Sequence, residues 1–224
     1  MLGTELRKHI ECYAPSKEVL DITREFFYEE LPSLIIHCAA YTDVLKAESK
    51  KELCYETNVI GTRNLASLAI RMLYISTEYV FDGGKGNYNE TDYPNPQNFY
   101  SFTKLLGEYE SRRTKSVVVR CLFKPRPFEH DKACTDQLTS GNYVDTIAKD
   151  ITRAVTIFDK LPETIHIGSG KRTTFNLAKE TRPDIGETTV QRIFEETGLK
   201  LPRDTSLDCS KWEAIKNENR VRPV

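Results

Sequence analysis

Nowhere in its 224 residues does the chain carry the run of about 18 apolar residues that a membrane-crossing helix needs. Met1-Leu2-Gly3 opens without the charged-then-apolar order of a secretory signal, so the expected setting is cytoplasmic. An excess of one charge is also missing. Thirty-two Lys and Arg stand against 33 Asp and Glu, a formal net charge of -1, which leaves no basic field for a nucleic acid polymer or an anionic membrane. The six cysteines include no C-x-x-C pair, and the expectation is reduced thiols packed as small hydrophobes. His9, His37, His130 and His166 never stand at i and i+4, so no protein-ligated metal is expected. Internal repeats and low-complexity stretches are absent. What is present, 39% apolar and 29% charged residues, suits one large soluble domain or a domain with a smaller lobe.

Four short apolar runs recur: Ser33 to Ala39, Met72 to Ser76, Val117 to Phe123 and Thr164 to Ile167. Their apolarity is continuous rather than alternating, which suits strands of a parallel sheet covered by helices on both faces. Helical patterns lie between them, over Leu2 to Ile10, roughly Lys46 to Ile70, Phe99 to about Arg113, and Thr188 to Thr197. The alternation predicts an α/β fold. Thr188-Thr189-Val190-Gln191 resembles a capping box, and Gly198 stands where a helix C-cap is expected. Beyond about residue 124, five prolines from Pro125 to Pro202 break the pattern into shorter elements, the texture of a smaller lobe. Two connections read as abnormally short, at Ile10-Glu11 and Ile70-Arg71, against the usual 2–6 linking residues. Either pieces of the natural chain are missing from the text or the fold is worn down.

The chemistry concentrates between Ser76 and Lys104. Tyr100 and Lys104 stand at i and i+4, one face of a helix. A cation beside a phenol favours phenolate and brings a group that titrates near pH ~10 towards the range useful for proton transfer. Thr77 ends a strand, where a hydroxyl can bond a carbonyl oxygen as charge grows on it. Tyr100 follows Thr77 by 23 residues, with Asn95-Pro96-Gln97-Asn98 as a breaker before the helix.

Together these residues resemble the extended short-chain dehydrogenase/reductases, and within them the dTDP-4-dehydrorhamnose reductases. The narrower likeness rests on Cys38-Ala39-Ala40-Tyr41-Thr42-Asp43-Val44, Asn58 to Ala66, Ile75 to Gly83, Asn95 to Tyr100 and Lys104-Leu105-Leu106-Gly107-Glu108. It is close to about residue 145 and weaker beyond. The resemblance implies a Rossmann-type doubly wound parallel sheet with a smaller C-terminal substrate lobe. The dinucleotide-binding domain would span 1–127, the substrate lobe 128–224, with about 142–160 returning to the first domain. Thr77, Tyr100 and Lys104 would be the catalytic hydroxyl, the proton donor and the lysine that tunes it and holds the nicotinamide ribose. Gly3, Ser16, Lys17, Asp21, Ile22, Ala39, Ala40, Tyr41 and Asn58 would line the cofactor, and Ser76 and Tyr79 the substrate. Asp21 would accept from the adenine amino group. Its residue type also suits a helix N-cap, Asn58 a structural bond and the alanines plain packing.

The departures are specific. Of the family's G-x-x-G-x-x-G loop, whose glycines let the backbone approach a pyrophosphate, only Gly3 is matched; the strand and two glycines before it are missing from the text. Arg120 to Pro127 departs from the usual R-T-S-W, and Lys124, Arg126, Lys132, Lys171 and Arg172 are either diphosphate contacts or scattered surface charge. After Cys12-Tyr13-Ala14-Pro15, where a second strand should end, Ser16 and Lys17 supply no acid for a ribose 2′-hydroxyl, which favours NADPH over NADH.

The function expected from the resemblance is NADPH-dependent reduction of a nucleotide-linked 4-keto-6-deoxy sugar, with a nucleotide-diphosphate sugar as partner and a homodimer as the assembly it allows. The alternatives are a non-catalytic dinucleotide-binding regulatory subunit and a nucleotide-sugar epimerase or dehydratase. Dehydratases of this superfamily usually carry an acidic pair after the catalytic hydroxyl, whereas here Thr77 is followed by Glu78 and then Tyr79.

Overall fold

The computed structural model describes residues 1–24 and 30–219. The chain runs through α1 (Leu2–Leu6), β1 (Leu34–His37), α2 (Val44–Ala47), α3 (Lys51–Tyr55), α4 (Gly61–Ala66), β2 (Arg71–Thr77), α5 (Phe99–Ser111) and β3 (Ser116–Cys121). A smaller set of elements follows: β4 (Phe123–Lys124), β5 (Lys132–Cys134), β6 (Leu138–Thr139), β7 (Asn142–Tyr143), α6 (Val144–Thr156), β8 (Thr164–His166), β9 (Arg172–Thr173), α7 (Thr174–Lys179), β10 (Gly186–Thr188), α8 (Val190–Thr197) and α9 (Ser210–Glu218). All four apolar runs become strands, and they pair in parallel in the order β1-β2-β3-β8.

Continuous apolarity is explained by where alternate residues point. Leu73, Ile75, Val117 and Val119 enter one core with Ile147, Ala148 and Ile151 of α6 and with Leu2 and Leu6 of α1. Met72, Tyr74 and Val118 enter a second core on the opposite face, with Ile22, Leu65 and Ala66. The central strands β2 and β3 are therefore buried on both sides, as a helix-covered parallel sheet requires. This is the Rossmann-type α/β architecture. Each successive strand adds on the same side, so the described strands make one wing of a doubly wound sheet, with β1 paired only to β2 among the described residues.

Several local expectations are corrected. Residues 11–16 form no strand, so Ser16 and Lys17 lie in an exposed turn rather than at a strand end. The helical stretch from Lys46 to Ile70 is divided into α2, α3, a π-helical turn over Glu56–Ile60 and α4. It closes at Ala66, leaving 67–70 as a linker of ordinary length, so the abrupt junction at 70–71 disappears. Likewise α1 ends at Leu6, with turns rather than helix up to Ile10, and the chain passes Ile10-Glu11 without a break. Thr189, not Thr188, caps α8 by accepting from the Arg192 amide, because Thr188 is held in β10; Gln191 bonds Glu195 instead of closing a box. Gly198 ends that helix at φ 73° as expected.

The helix bearing Tyr100 and Lys104 is started by Asn98, whose Oδ1 accepts from the Ser101 amide at 2.9 Å. It is locked to the sheet by a buried ion pair. Glu108 accepts from Arg120 Nε at 2.9 Å and Nη2 at 2.8 Å, and from Ser76 Oγ at 2.6 Å, joining α5 to β3 and β2. Gly107 lets the same helix approach Tyr74 and the Asn58 carbonyl, where a Cβ would collide with both. Arg120→Met should cost about 3–5 kcal/mol in urea unfolding, since it strands a buried carboxylate, whereas Glu108→Met with Arg120→Met should recover most of that loss. A single-variant cost below about 1 kcal/mol would show that the pair is not what fixes α5.

Candidate active site

The carboxyl end of β2 brings Thr77 to the amino-terminal half of α5. Thr77 Oγ1 accepts from the Tyr79 amide at 3.2 Å, and its hydroxyl lies near the Tyr100 phenol. Tyr100 is partly buried, and that burial pushes its pKa above the ordinary tyrosine value, with the nearby Thr77 hydroxyl pulling the other way. The phenol is thus held protonated, the form a proton donor needs at rest.

Lys104 lies one turn on, only 3% exposed. Its Nζ donates to the Ile75 carbonyl at 2.7 Å and sits 4.3 Å from the centre of the Tyr74 ring. Burial pushes its pKa down to about 8, opposed first by the Glu108 carboxylate one turn further along α5. The sequence expectation that Lys104 lowers the Tyr100 pKa is corrected here: the ammonium is turned to a backbone carbonyl and a ring face, and desolvation dominates the phenol.

Asn58, 1% exposed in the π-helical turn, joins three elements. Its Oδ1 accepts from the Tyr41 amide at 2.8 Å, and its Nδ2 donates to the Tyr41 carbonyl at 3.2 Å and to Thr103 Oγ1 at 2.9 Å. It therefore pins the loop after β1, with Ala39 and Ala40, to the helix carrying Lys104. Gly3 faces the same strand end, 3.8 Å from Cys38 Cβ at its would-be Cβ position.

Other candidates are committed elsewhere. Ser76, 3% exposed, gives its hydroxyl to Glu108. Tyr79 is buried and its hydroxyl accepts from Gln137 Nε2 at 3.2 Å. Asp21 accepts from the Thr23 amide and hydroxyl at 3.0 and 2.7 Å, and Ile22 packs on Gly61. Of the basic residues in the second lobe, Arg126 pairs with Asp145, Lys171 with Asp204 and Arg172 with Glu180. Sequence reasoning missed Glu78 and Glu108. The only signal for either was an acidic residue beside Thr77 and another four residues after Lys104.

A bound dinucleotide fits one end of this arrangement. Lys104 is a buried cation with three donors, of which the recorded hydrogen bonds engage one, so it can hold ribose hydroxyls beside Tyr100 and Thr77. At the other end, among the described residues, Gly3 opens a helix of only five residues, Ser16 and Lys17 are exposed, and the Asp21 carboxylate is occupied. Among the described residues no cluster of three or more His, Cys, Asp or Glu could hold a metal, and no helix is long and apolar enough to cross a membrane.

A parallel α/β sheet with a hydroxyl, a phenol and a buried lysine at its carboxyl edge defines the class as Rossmann-type. Within that class, the chain belongs to the RmlD substrate binding domain family, whose model matches residues 1–123. It is similar to a dTDP-4-dehydrorhamnose reductase of Clostridium acetobutylicum, with 27% identity and a TM-score of 0.84 over 96% of this chain and 89% of that one. A dTDP-4-dehydrorhamnose reductase of Bacillus anthracis, solved in complex with NADP, shares the fold at 24% identity and a TM-score of 0.80, over 99% of this chain and 90% of that one. Among curated proteins, bovine methionine adenosyltransferase 2 subunit beta is 27% identical over 84% of this chain, which spans 66% of that relative's length.

Glu78, beside Thr77 and fully buried, is the other perturbed group of the site. Burial raises its pKa to about 7, against hydrogen bonds from Thr139, Thr205 and Ser140 and the Lys124 charge. A folded pKa above the unfolded value means that the native state holds the proton more tightly. Its contribution to stability is complete below pH 4.5 and is lost as pH rises through about 7. Chemical unfolding of Glu78→Gln should show a flatter stability profile across that window than the parent chain. Superimposable profiles would show that Glu78 does not titrate there.

Proposed function

We propose that this chain carries the reacting centre of an NADPH-dependent reductase acting on a nucleotide-linked 4-keto-6-deoxy sugar. One observation carries the reading: the Thr77 hydroxyl lies near the Tyr100 phenol at the carboxyl end of β2, with the Lys104 ammonium buried one helical turn away. The nicotinamide, when bound, supplies the hydride for the sugar C4. Tyr100 gives its proton to the C4 oxygen and is left as phenolate. Thr77 turns its hydroxyl hydrogen to the same oxygen while its own Oγ1 stays fixed by the Tyr79 amide. Lys104, on the same helix face as Tyr100, serves the ribose. Residues 128–224 take the sugar nucleotide in this reading. The NADP bound by the Bacillus anthracis protein supports NADPH as the cofactor.

A second reading, a non-catalytic subunit, is favoured by one specific finding. The bovine relative is named as a subunit of an adenosyltransferase. Turnover separates the two readings. The chain should oxidise NADPH when given a dTDP-linked 4-keto-6-deoxy sugar, faster than NADH, and Tyr100→Phe should lower kcat roughly 10²–10⁴-fold with the fold intact. Cofactor binding without any turnover by the parent chain would favour the subunit.

Lys104→Met tests the ribose role by a different route. Replacing a buried cation with an apolar side chain of similar length should leave the thermal midpoint unchanged or higher, while dinucleotide affinity falls. A variant that binds NADPH as tightly as the parent would remove Lys104 from the site.

A further inference from the structure

Thr77 is followed by two side chains that leave the sheet and hold the second lobe. Glu78 is fully buried in the short 3-10 turn Glu78–Val80. Its Oε1 accepts from Thr205 Oγ1 at 2.7 Å and its Oε2 from the Ser140 amide at 3.3 Å. Tyr79, the next residue, accepts from Gln137. Consecutive residues of one turn thus grip both ends of the stretch 137–140.

That stretch is the junction of the lobe. Gln137 also donates to the Pro202 carbonyl at 3.3 Å. Ser140 Oγ donates to the Leu207 carbonyl at 3.0 Å and accepts from the Leu207 amide at 2.9 Å, and the Ser140 carbonyl accepts from the Ser169 amide at 2.7 Å. Segments 137–140, 168–169 and 202–207 therefore converge around one carboxyl group. No cation lies within ion-pair distance of it among the described residues. Lys124 on β4 is the charge in electrostatic range, with Tyr79, Cys121 and Cys209 as the other titratable neighbours. The attachment is made by directional neutral donors, and hydrogen bonds fix geometry where a diffuse Coulomb attraction would not. The turn is in turn fixed to the strand, since the Thr77 hydroxyl that meets Tyr100 also accepts from the Tyr79 amide.

We propose that Glu78 is a positioning residue that latches the second lobe, through Ser140 and Thr205, onto the strand end carrying Thr77, and so sets where that lobe presents a substrate to Thr77 and Tyr100. The latch itself stands on the hydrogen bonds; its consequence for turnover rests on the reductase reading. Both carboxylate oxygens are committed to lobe donors, so Glu78 is not placed as an acid or base for substrate, which separates this site from one built on a free acidic pair.

The test is amide exchange of the full chain, with Glu78→Ala and with Thr205→Val, which is nearly isosteric and removes one donor. Both variants should raise exchange at Ser140 and across 203–207 by roughly tenfold, the worth of a hydrogen bond to a charged group, with 71–77 and 116–121 changed less than about twofold. KM for the sugar nucleotide should rise more than kcat falls. Unchanged protection at Ser140 and 203–207 in Thr205→Val overturns the latch, as does an equal rise in the central strands, the mark of general destabilisation. If Glu78→Ala fails to fold, Thr205→Val decides alone. A parent chain without turnover refutes the reductase reading, and exchange still decides the latch.

Discussion

The Glu108–Arg120 ion pair is the constraint on which the site depends. Both side chains are almost wholly inaccessible, so their charges are held chiefly by each other, with Ser76 donating to Glu108 and Arg112 3.9 Å from it. Because Glu108 lies on α5, Arg120 on β3 and Ser76 on β2, this one cluster fixes the roll and height of the helix against two strands. Tyr100 and Lys104 are carried on that helix, and Thr77 is the residue after Ser76. A shift of α5 would therefore move phenol and ammonium together relative to the threonine. The same carboxylate helps keep Lys104 protonated against a burial that would otherwise discharge it. One buried negative charge both places the lysine and preserves its charge.

Two ends of the site differ in how completely they are built. Around Tyr100, Asn58 ties the loop after β1 to α5 through Thr103, and Lys104 is anchored on the Ile75 carbonyl. At the opposite end Gly3, Ser16, Lys17 and Asp21 do not converge, since 11–16 form no strand and the Asp21 carboxylate closes its own turn on Thr23. The wing of the sheet that is described carries Thr77, Tyr100 and Lys104. The region that would cradle a pyrophosphate belongs, by the logic of a doubly wound sheet, on the other side of β1. The match to the RmlD substrate binding domain family, over residues 1–123, takes in both ends of the site.

Much of the fold was legible from residue order. The four apolar runs became the four parallel strands because burial on both faces leaves a signature, unbroken apolarity, that few other settings impose. Asn98 was marked as a helix start by its own chemistry and by the proline two residues before it. Local signals failed where two residues of one type compete. Thr188 and Thr189 are equal as caps by composition, and only the pairing of Thr188 with Cys134 in the second lobe leaves Thr189 for α8. The long amphipathic stretch from Lys46 to Ile70 read as one helix because its periodicity survives the π-helical turn that aims Asn58 at Tyr41.

The sequence by itself determined the parallel α/β class, the helix bearing Tyr100 and Lys104, and the family, since each depends on the identity and spacing of residues close in the chain. Only the tertiary structure decided what the polar side chains do. Ser76, Tyr79 and Asp21 carry groups suited to a ligand, yet each is satisfied by a protein partner, and in the first two that partner lies 32 and 58 positions away. Glu78 gave no sign of its role, because Ser140 and Thr205 stand 62 and 127 positions along the chain. A buried carboxyl takes its meaning from the donors that folding brings to it, and those contacts exist only once the second lobe has packed against the sheet.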